Sequence, residues 1–467
     1  MCPSPVFSGR ELGGLFAITV TGILVAAYTG VPLLVGLLPG LILLWGMCLR
    51  KGVSGRELFG MSRGGAMRTR EVLIILLLVS ILLPLWDSSG TVDQLVGLFL
   101  GWLSKDWFLT CSFVFMMMLS MLLGTSVGSL SALGIPLLSV AAAWKLPPEL
   151  VAGALVSGAF VGDRTSPFSG THQLLADMVE VPVRKLFRIM LPTTALAVFI
   201  SLMFFLWQDW TLSRVAPGEA AAGPVELSWL HGLPPALLLL PVLFRKPVKY
   251  GFVLSAAAAL WMSLDRGVPP GELLMQLWEG SEKLGGGVRS MLPLLLFIFM
   301  TGAFNGVLEG LNMVRPFLQR WLRNKRSPFS LAWRTVVASG LIAATVCNQT
   351  MPIILTGRSF LDHWKTTRSR EELARVMGDS AILFPGMIPW NLLAILFVAV
   401  IGIPALSWLP YAVFIWSLPL ITLAVSAGMS VKRASRDDQP ASGDGGRHQP
   451  NIPVHPTKLD EKSGLPE

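Results

Sequence analysis

Long apolar runs recur along the chain, separated by short polar stretches. Segments such as 31–49 (VPLLVGLLPGLILLWGMCL) and 189–207 (IMLPTTALAVFISLMFFLW) are each long enough to cross a bilayer, which takes about 20 apolar residues. More than ten such runs follow one another. The pattern predicts an all-α polytopic membrane protein with 11–14 transmembrane segments. Spans are expected at roughly 12–29, 31–49, 71–86, 107–123, 126–143, 149–181 (broken), 188–207, 229–244, 251–264, 289–312, 329–346, 347–362 (short, a candidate half-helix), 375–405 (broken) and 410–430. The stretch 92–103 is expected to be an interfacial helix.

Composition agrees: 53% of the 467 residues are hydrophobic and 14% are charged, against about 25% charged in a soluble domain. The net charge is +9. Its placement between apolar runs explains it by membrane topology, with no nucleic-acid partner. Six Lys/Arg lie between residues 50 and 70, and further clusters occupy 184–188, 245–249, 315–326, 365–375 and 432–436. Positive loops stay cytoplasmic. The neutral or acidic stretches 87–93, 209–226 and 265–283 are then outside, and both termini are cytoplasmic. A cell-membrane location follows. No cleavable leader is evident near the start, and the polar stretch 431–467 reads as a disordered cytoplasmic tail.

Enzyme signatures are missing. There is no HExxH, Walker loop or nucleophile elbow, and Gly285-Gly286-Gly287 precedes a span rather than following a strand. The four cysteines (Cys2, Cys48, Cys111, Cys347) lack CxxC or zinc spacing and read as apolar packing residues. No cofactor is expected, and no metal beyond a transported cation. A homo-oligomer is left open.

The candidate chemistry lies in two polar interruptions. The first is 157–173 (SGAFVGDRTSPFSGTHQ), preceded by 124–136 (GTSVGSLSALGIP). The second is 346–358 (VCNQTMPIILTGR), followed by 378–391 (GDSAILFPGMIPWN). A constant shift of 222 residues lays Thr125-Ser126 on Cys347-Asn348, Glu149 on Glu371 and Pro167 on Pro389. With the charge-derived topology, the equivalent segments run in opposite directions. That predicts inverted-topology repeats with broken or re-entrant helices. The chain divides into an N-terminal helix pair with a cytoplasmic basic loop (1–70), a first repeat (71–210), a connecting hairpin and loop (211–288), a second, inverted repeat (289–430) and the tail (431–467).

Lipid cannot satisfy free backbone groups, so broken helices must line a protein-buried cavity. Gly162, Pro167, Gly386 and Pro389 are the expected helix breaks, with Gly158 and Gly170 also allowing non-helical backbone. A carboxylate there is costly and is a functional candidate by default. Asp163, Ser166, Ser169, Thr125, Ser126, Asn348, Gln349, Thr350, Asp379 and Asn391 form the candidate ion-binding set. For Asp163 and Asp379 the competing reading is an ion pair or helix cap. For Asn348, Gln349 and Thr350 it is interhelical hydrogen bonding. Asp163, Asp379, Glu309 and His172 are candidates for proton coupling, with an interfacial role open for Glu309 and a packing role for His172. Arg164 and Arg358 are candidate counter-charges or anion contacts, with snorkelling or a plain topology role as alternatives.

These residues resemble the NhaC-type sodium/proton antiporter family. The resemblance rests on Gly162-Asp163-Arg164-Thr165-Ser166-Pro167, on Cys347-Asn348-Gln349-Thr350 with Ile353 to Arg358, on Asp379-Ser380 with Ile388-Pro389-Trp390-Asn391, and on Glu309 in its Gly-rich span. Similarity in hydropathy covers most of residues 10–430. It implies alternating-access exchange of a sodium or other monovalent cation for protons, with some relatives exchanging organic anions such as malate and lactate. One departure stands out: where the family commonly reads Ser-Asp-Thr-Thr-Asn, this chain reads Ser169-Gly170-Thr171-His172-Gln173. The missing carboxylate keeps open an ion-coupled organic-anion antiporter, in which Arg164 or Arg358 would meet a substrate carboxylate.

Overall fold

The computed structural model describes residues 7–102, 104–215, 229–244, 246–281, 287–311, 313, 327–346 and 348–437. Among these the fold is all helix, without a β-sheet. Seven helices are long and apolar enough to cross a membrane: those beginning at Gly9, Leu33, Arg70, Lys105, Ser126, Val183 and Val288. An eighth candidate is the pair Leu392–Ile401 and Ala405–Tyr411, bent by 88°. Phe329–Thr345 and Val413–Met429 are shorter apolar helices. The protein is therefore a polytopic helical membrane protein, but fewer of its helices qualify as spans by length and composition than the 11–14 expected. The other expected spans fall on helices that are short or charge-bearing.

The element order is α1 (Gly9–Thr29), α2 (Leu33–Arg50), α3 (Gly55–Arg68), α4 (Arg70–Ser88), α5 (Thr91–Trp102), α6 (Phe108–Leu123), α7 (Ser126–Ala143), α8 (Pro148–Thr165), α9 (Gly170–Met178) and α10 (Val183–Val215). Then come α11 (Leu233–Leu243), α12 (Val248–Asp265), α13 (Pro270–Glu279), α14 (Val288–Gly310), α15 (Pro328–Thr345) and α16 (Thr350–Thr367). The last are α17 (Arg370–Gly378), α18 (Phe384–Met387), α19 (Leu392–Ile401), α20 (Ala405–Trp408) and α21 (Val413–Asp437).

Three boundaries differ from expectation. Residues 50–70, expected as a basic loop, contain α3, started by a capping box between Ser54 and Glu57. Its low hydrophobicity hid it from a search for apolar runs. The candidate half-helix 347–362 is the full 18-residue α16. The expected tail from 431 begins as helix, because α21 runs to Asp437. Residues 438–467 of that tail and the basic cluster 315–326 lie outside the described residues.

Both expected interruptions are real breaks. One separates α8 from α9 at Ser166–Ser169. The other separates α17 from α19, with the single turn α18 between and Pro389 in the following non-helical stretch. Two expected breakers are not breakers. Gly162 lies inside α8, and Gly386 lies inside α18. Gly158 is likewise helical, and Gly170 opens α9 without a positive φ. Gly162 and Gly386 serve close approach instead: a Cβ on Gly162 would sit 2.0 Å from the Ser120 carbonyl carbon on α6, and one on Gly386 would sit 2.2 Å from the Phe160 ring.

Element boundaries in the two halves fall 222 residues apart. Starts pair as Pro148 with Arg370, Gly170 with Leu392 and Val183 with Ala405. Ends pair as Ser88 with Gly310, Leu123 with Thr345 and Val215 with Asp437. Packing follows the same correspondence. α6 meets α10 as α15 meets α21, α9 meets α16 as α19 meets α7, and α10 meets α17 as α21 meets α8.

Small residues make the tightest seams, as expected where lipid removes the hydrophobic drive between helices. Gly22 of α1 faces Gly36 of α2, and Gly65 of α3 faces Gly302 and Gly306 of α14. Polar capping is also supplied across helices. Trp107 precedes α6 without a capping side chain. Asp209 of α10 instead accepts from Leu109 N (3.0 Å), Thr110 N (2.9 Å) and Thr110 Oγ1 (2.7 Å), which satisfies free N–H groups at the start of α6. Cys48 is buried in an apolar cluster, Cys111 is half-buried, and both are free thiols. Cys2 and Cys347 lie outside the described residues.

The seam at Gly162 gives a paired test. Gly162→Ala should lower stability by about 1–3 kcal/mol through overpacking, read as a fall in thermal midpoint in detergent. Gly170→Ala should stay within about 1 kcal/mol of the parent, because nothing lies within 4 Å of a Cβ there.

Candidate functional site

The site is built where α8 ends. Asp163, Arg164 and Thr165 form its last turn, all buried. Pro167 lacks an N–H and cannot continue the helix. Ser166 Oγ donates to Met121 O (2.7 Å) and accepts from Phe168 N (3.3 Å), tying the break to the end of α6. Ser169 then caps α9, accepting from His172 N (3.3 Å). The hydroxyl proton of Ser169 is directed at Asp163 O (2.6 Å), with Asp163 Oδ1 at 3.3 Å.

Around the Asp163 carboxylate, Thr171 Oγ1 donates to Oδ1 (3.2 Å), while Ser126 Oγ (3.1 Å) and Gln349 Nε2 (2.7 Å) donate to Oδ2. These donors share a position in their helices. Ser126 is the first residue of α7, Thr171 the second of α9, and Gln349 the residue before α16. Three helix N-termini, each carrying partial positive charge, therefore converge on one carboxylate. Among the described residues no Lys, Arg or His forms an ion pair with Asp163.

The neighbouring residue has the opposite arrangement. Arg164 points away and pairs with Asp379, with both side chains fully buried. Its Nε donates to Gly378 O (3.0 Å), one terminal nitrogen to Thr194 Oγ1 and the other to Thr193 Oγ1 (3.0 Å). Thr193 in turn donates to Asp379 Oδ1 (3.1 Å). Thus Arg164 is the counter-charge of Asp379, not of Asp163, and the pair locks α8 to α10 and α17. Asp379 is not brought to Asp163 by any contact. Arg358 is exposed on α16 and pairs with no acid among the described residues, so it does not neutralise Asp379.

Other expected site residues are placed as follows. Thr125 caps α7 through Gly128 N (3.4 Å). Asn348 Oδ1 accepts from Thr350 N and Oγ1, both at 2.8 Å, at the start of α16. Asn391, expected in the ion-binding set, engages backbone groups instead. Its Nδ2 donates to Ala343 O (2.8 Å) and its Oδ1 accepts from Leu393 N (3.3 Å), stitching α19 to the end of α15. His172 is buried, with Nδ1 at 2.7 Å from Arg164 O and Nε2 at 3.5 Å from Val183 O. It faces two backbone carbonyls and pins α9 to α8 and α10. Glu309 pairs with Arg68.

A cavity of about 430 Å³ lies beside this site. Thr301, Asn305, Asn348, Thr350 and Trp390 give it a polar wall, Arg68 and Glu309 also line it, and Gln349 is shared between it and Asp163. Sequence reasoning did not single out Thr171, Asn305, Thr193 or Thr194 for the site. The adjacent threonines after Pro192, inside an apolar run, are a polar interruption that would have flagged the Arg164 pocket. Arg375 was read as part of a basic topology cluster. It is buried and donates to Thr422 Oγ1 (2.6 Å) and Ser426 Oγ (3.0 Å) on α21.

At the ends of the helices that carry the site, Lys365 pairs with Glu180 (2.7 Å) and Lys185 with Glu371 (2.7 Å). The paired lysines hold both carboxyls below the usual carboxylate range.

The Na+/H+ antiporter family model matches residues 174–427, more than half of the chain. The chain belongs to the Na+/H+ antiporter family. The Na+/H+ antiporter NhaC of Bacillus subtilis (strain 168) is 26% identical over 378 residues, covering 76% of this chain and 83% of the relative. The Na+/H+ antiporter NhaC of Alkalihalophilus pseudofirmus is 26% identical over 433 residues, 88% and 93% of the two chains. The malate-2H+/Na+-lactate antiporter of Bacillus subtilis is 25% identical over 406 residues, 82% and 86%. The family is one of transporters, in agreement with the resemblance read from the motifs.

Two tests follow from the paired and unpaired charges. Asp379→Asn should cost about 3–5 kcal/mol, because it strands a buried guanidinium, and Arg164→Met with Asp379→Leu together should cost less. Thermal unfolding in detergent reads both. A pH series reads the surface pairs. Since the folded-state values of Glu180 and Glu371 are lowered, their contribution is complete above the ordinary carboxylate value and fades as pH falls through the lowered one. Glu180→Gln with Glu371→Gln should therefore flatten that acid limb.

Proposed function

We propose that the protein exchanges a monovalent cation, sodium first, for protons at Asp163. The observation that carries this reading is the buried carboxylate of Asp163, held by neutral donors and three helix N-termini, with no cationic side chain among the described residues paired to it. A fixed ion pair would block exchange. Here the negative charge is left for a mobile cation or a proton, and two ligands sharing one carboxylate exclude each other. The hydroxyls of Ser126, Ser169 and Thr171 and the Gln349 amide each also carry an acceptor oxygen. Rotation of these groups turns a carboxylate cradle into a cation cradle. Gly170 adds no second carboxylate, so one acid and uncharged oxygens make the site. The names of the two NhaC relatives support sodium and proton as the ligands.

The paired element boundaries support two repeats about the site. With the charge-derived orientation, we read them as inverted, with alternating access about the breaks, both termini in the cytoplasm and the protein in the cell membrane. Glu309, at the cavity wall, is the proposed point of cation entry.

A second reading, ion-coupled exchange of an organic anion, draws on the malate/lactate relative and on a cavity of small-molecule size. Arg164 cannot serve it without breaking its pair with Asp379, and Arg358 is exposed.

In proteoliposomes with an internal pH dye, sodium added against a pH gradient should change internal pH. Asp163→Asn should reduce the initial rate at least tenfold. Full pH-dependent exchange in that variant would overturn the assignment of Asp163. A response to an organic acid with none to sodium, lithium or potassium would favour the second reading.

A further inference from the structure

The helix α3 was not expected, and it brings a cation to the cavity. Gly65 of α3 packs against Gly302 and Gly306 of α14 so closely that a Cβ on Gly65 would stand 2.5 Å from Gly306 Cα. Arg68 follows Gly65 by three residues, and Glu309 follows Gly306 by three. Each therefore shares a helix face with its glycine. The glycine contact thus sets Arg68 against Glu309, and the two side chains form an ion pair. Both residues line the cavity that reaches Gln349, which in turn donates to Asp163. Among the described residues, Glu309 is the one acid lining that cavity.

We propose that Arg68 is a tethered competitor for the entering cation, and that its pairing with Glu309 sets the cation concentration at which the cavity fills. This rests on the cation-exchange reading above. The pair is partly exposed, with side-chain exposures of 65% for Arg68 and 38% for Glu309. Exposed pairs of this kind contribute little, about 0–1 kcal/mol, and open readily. A guanidinium on a short tether nevertheless has a high local concentration at its partner. A sodium ion arriving at Glu309 must displace it. Arg68 acts through Glu309 and is a specificity-determining residue rather than a ligand of the ion.

The test measures initial exchange rate against sodium concentration in proteoliposomes, with choline holding ionic strength constant. Arg68→Gln should lower the half-saturating sodium concentration at least threefold and leave the maximal rate within twofold. Arg68→Lys, which keeps the charge, should stay close to the parent. Glu309→Gln should raise the half-saturating concentration, and adding Arg68→Gln to it should produce no further change, because the competitor has lost its target. An unchanged half-saturating concentration in Arg68→Gln would overturn the proposal. So would an equal fall in the Glu309→Gln background, which would make Arg68 a general surface charge. Absence of any sodium response in the parent protein would instead overturn the exchange reading and this inference with it.

Discussion

A carboxylate buried among apolar helices must be compensated, and the way Asp163 is compensated organises the rest of the structure. Among the described residues its charge meets no cationic side chain but three neutral hydrogen-bond donors and the positive ends of α7, α9 and α16. Those three N-termini exist near one point because the chain breaks after α8 and because α7 and α16 both begin beside the break. Removing the break would carry Thr171 and Ser169 away along a continuous helix. The discontinuity is therefore the means by which one acid is held without a partner charge.

The adjacent Arg164 shows the contrasting solution. One residue along a helix turns the side chain by about 100°, given 3.6 residues per turn, so Asp163 and Arg164 face different neighbours. Arg164 is met by Asp379, Thr193, Thr194 and the Gly378 carbonyl. This network joins three helices, and none of its hydrogen bonds goes to Asp163. A buried pair of this kind is weak evidence for net stability but is costly to break from one side. It holds α8 in place while leaving the neighbouring carboxylate unpaired.

Glycine seams give the scaffold its closeness. The contact of α3 with α14 is formed by backbone approaching backbone, with Gly65 between Gly302 and Gly306. A helix of low hydrophobicity thereby becomes a wall of the cavity, and a residue that looked like a topology charge reaches Glu309. The same geometry at Gly162 brings α8 against α6. Neither glycine interrupts its helix, which corrects the reading of Gly162 as a breaker: inside a regular helix, the absent side chain matters more than the freedom of φ.

Much was legible in the sequence. Apolar length located nearly every helix, since a bilayer demands uninterrupted apolar runs. The two polar interruptions stood out because polarity there is costly, and both are breaks in the structure. Asp163 with Ser126, Ser169 and Gln349 could be named from residue type and motif alone. The sequence could not decide which charge meets which. Asp379 and Asn391 looked like members of the ion-binding set, Arg358 like a counter-charge or anion contact and Arg375 like a topology cation. Each assignment depended on direction across helices more than 30 residues apart in sequence, or on one turn of rotation about a helix axis, and neither leaves a trace in local pattern. The chain by itself determined a helical membrane transporter scaffold interrupted at two polar points. Tertiary packing decided that Arg164 and Asp379 hold each other and leave Asp163 open, because an ion pair forms where two helix faces meet.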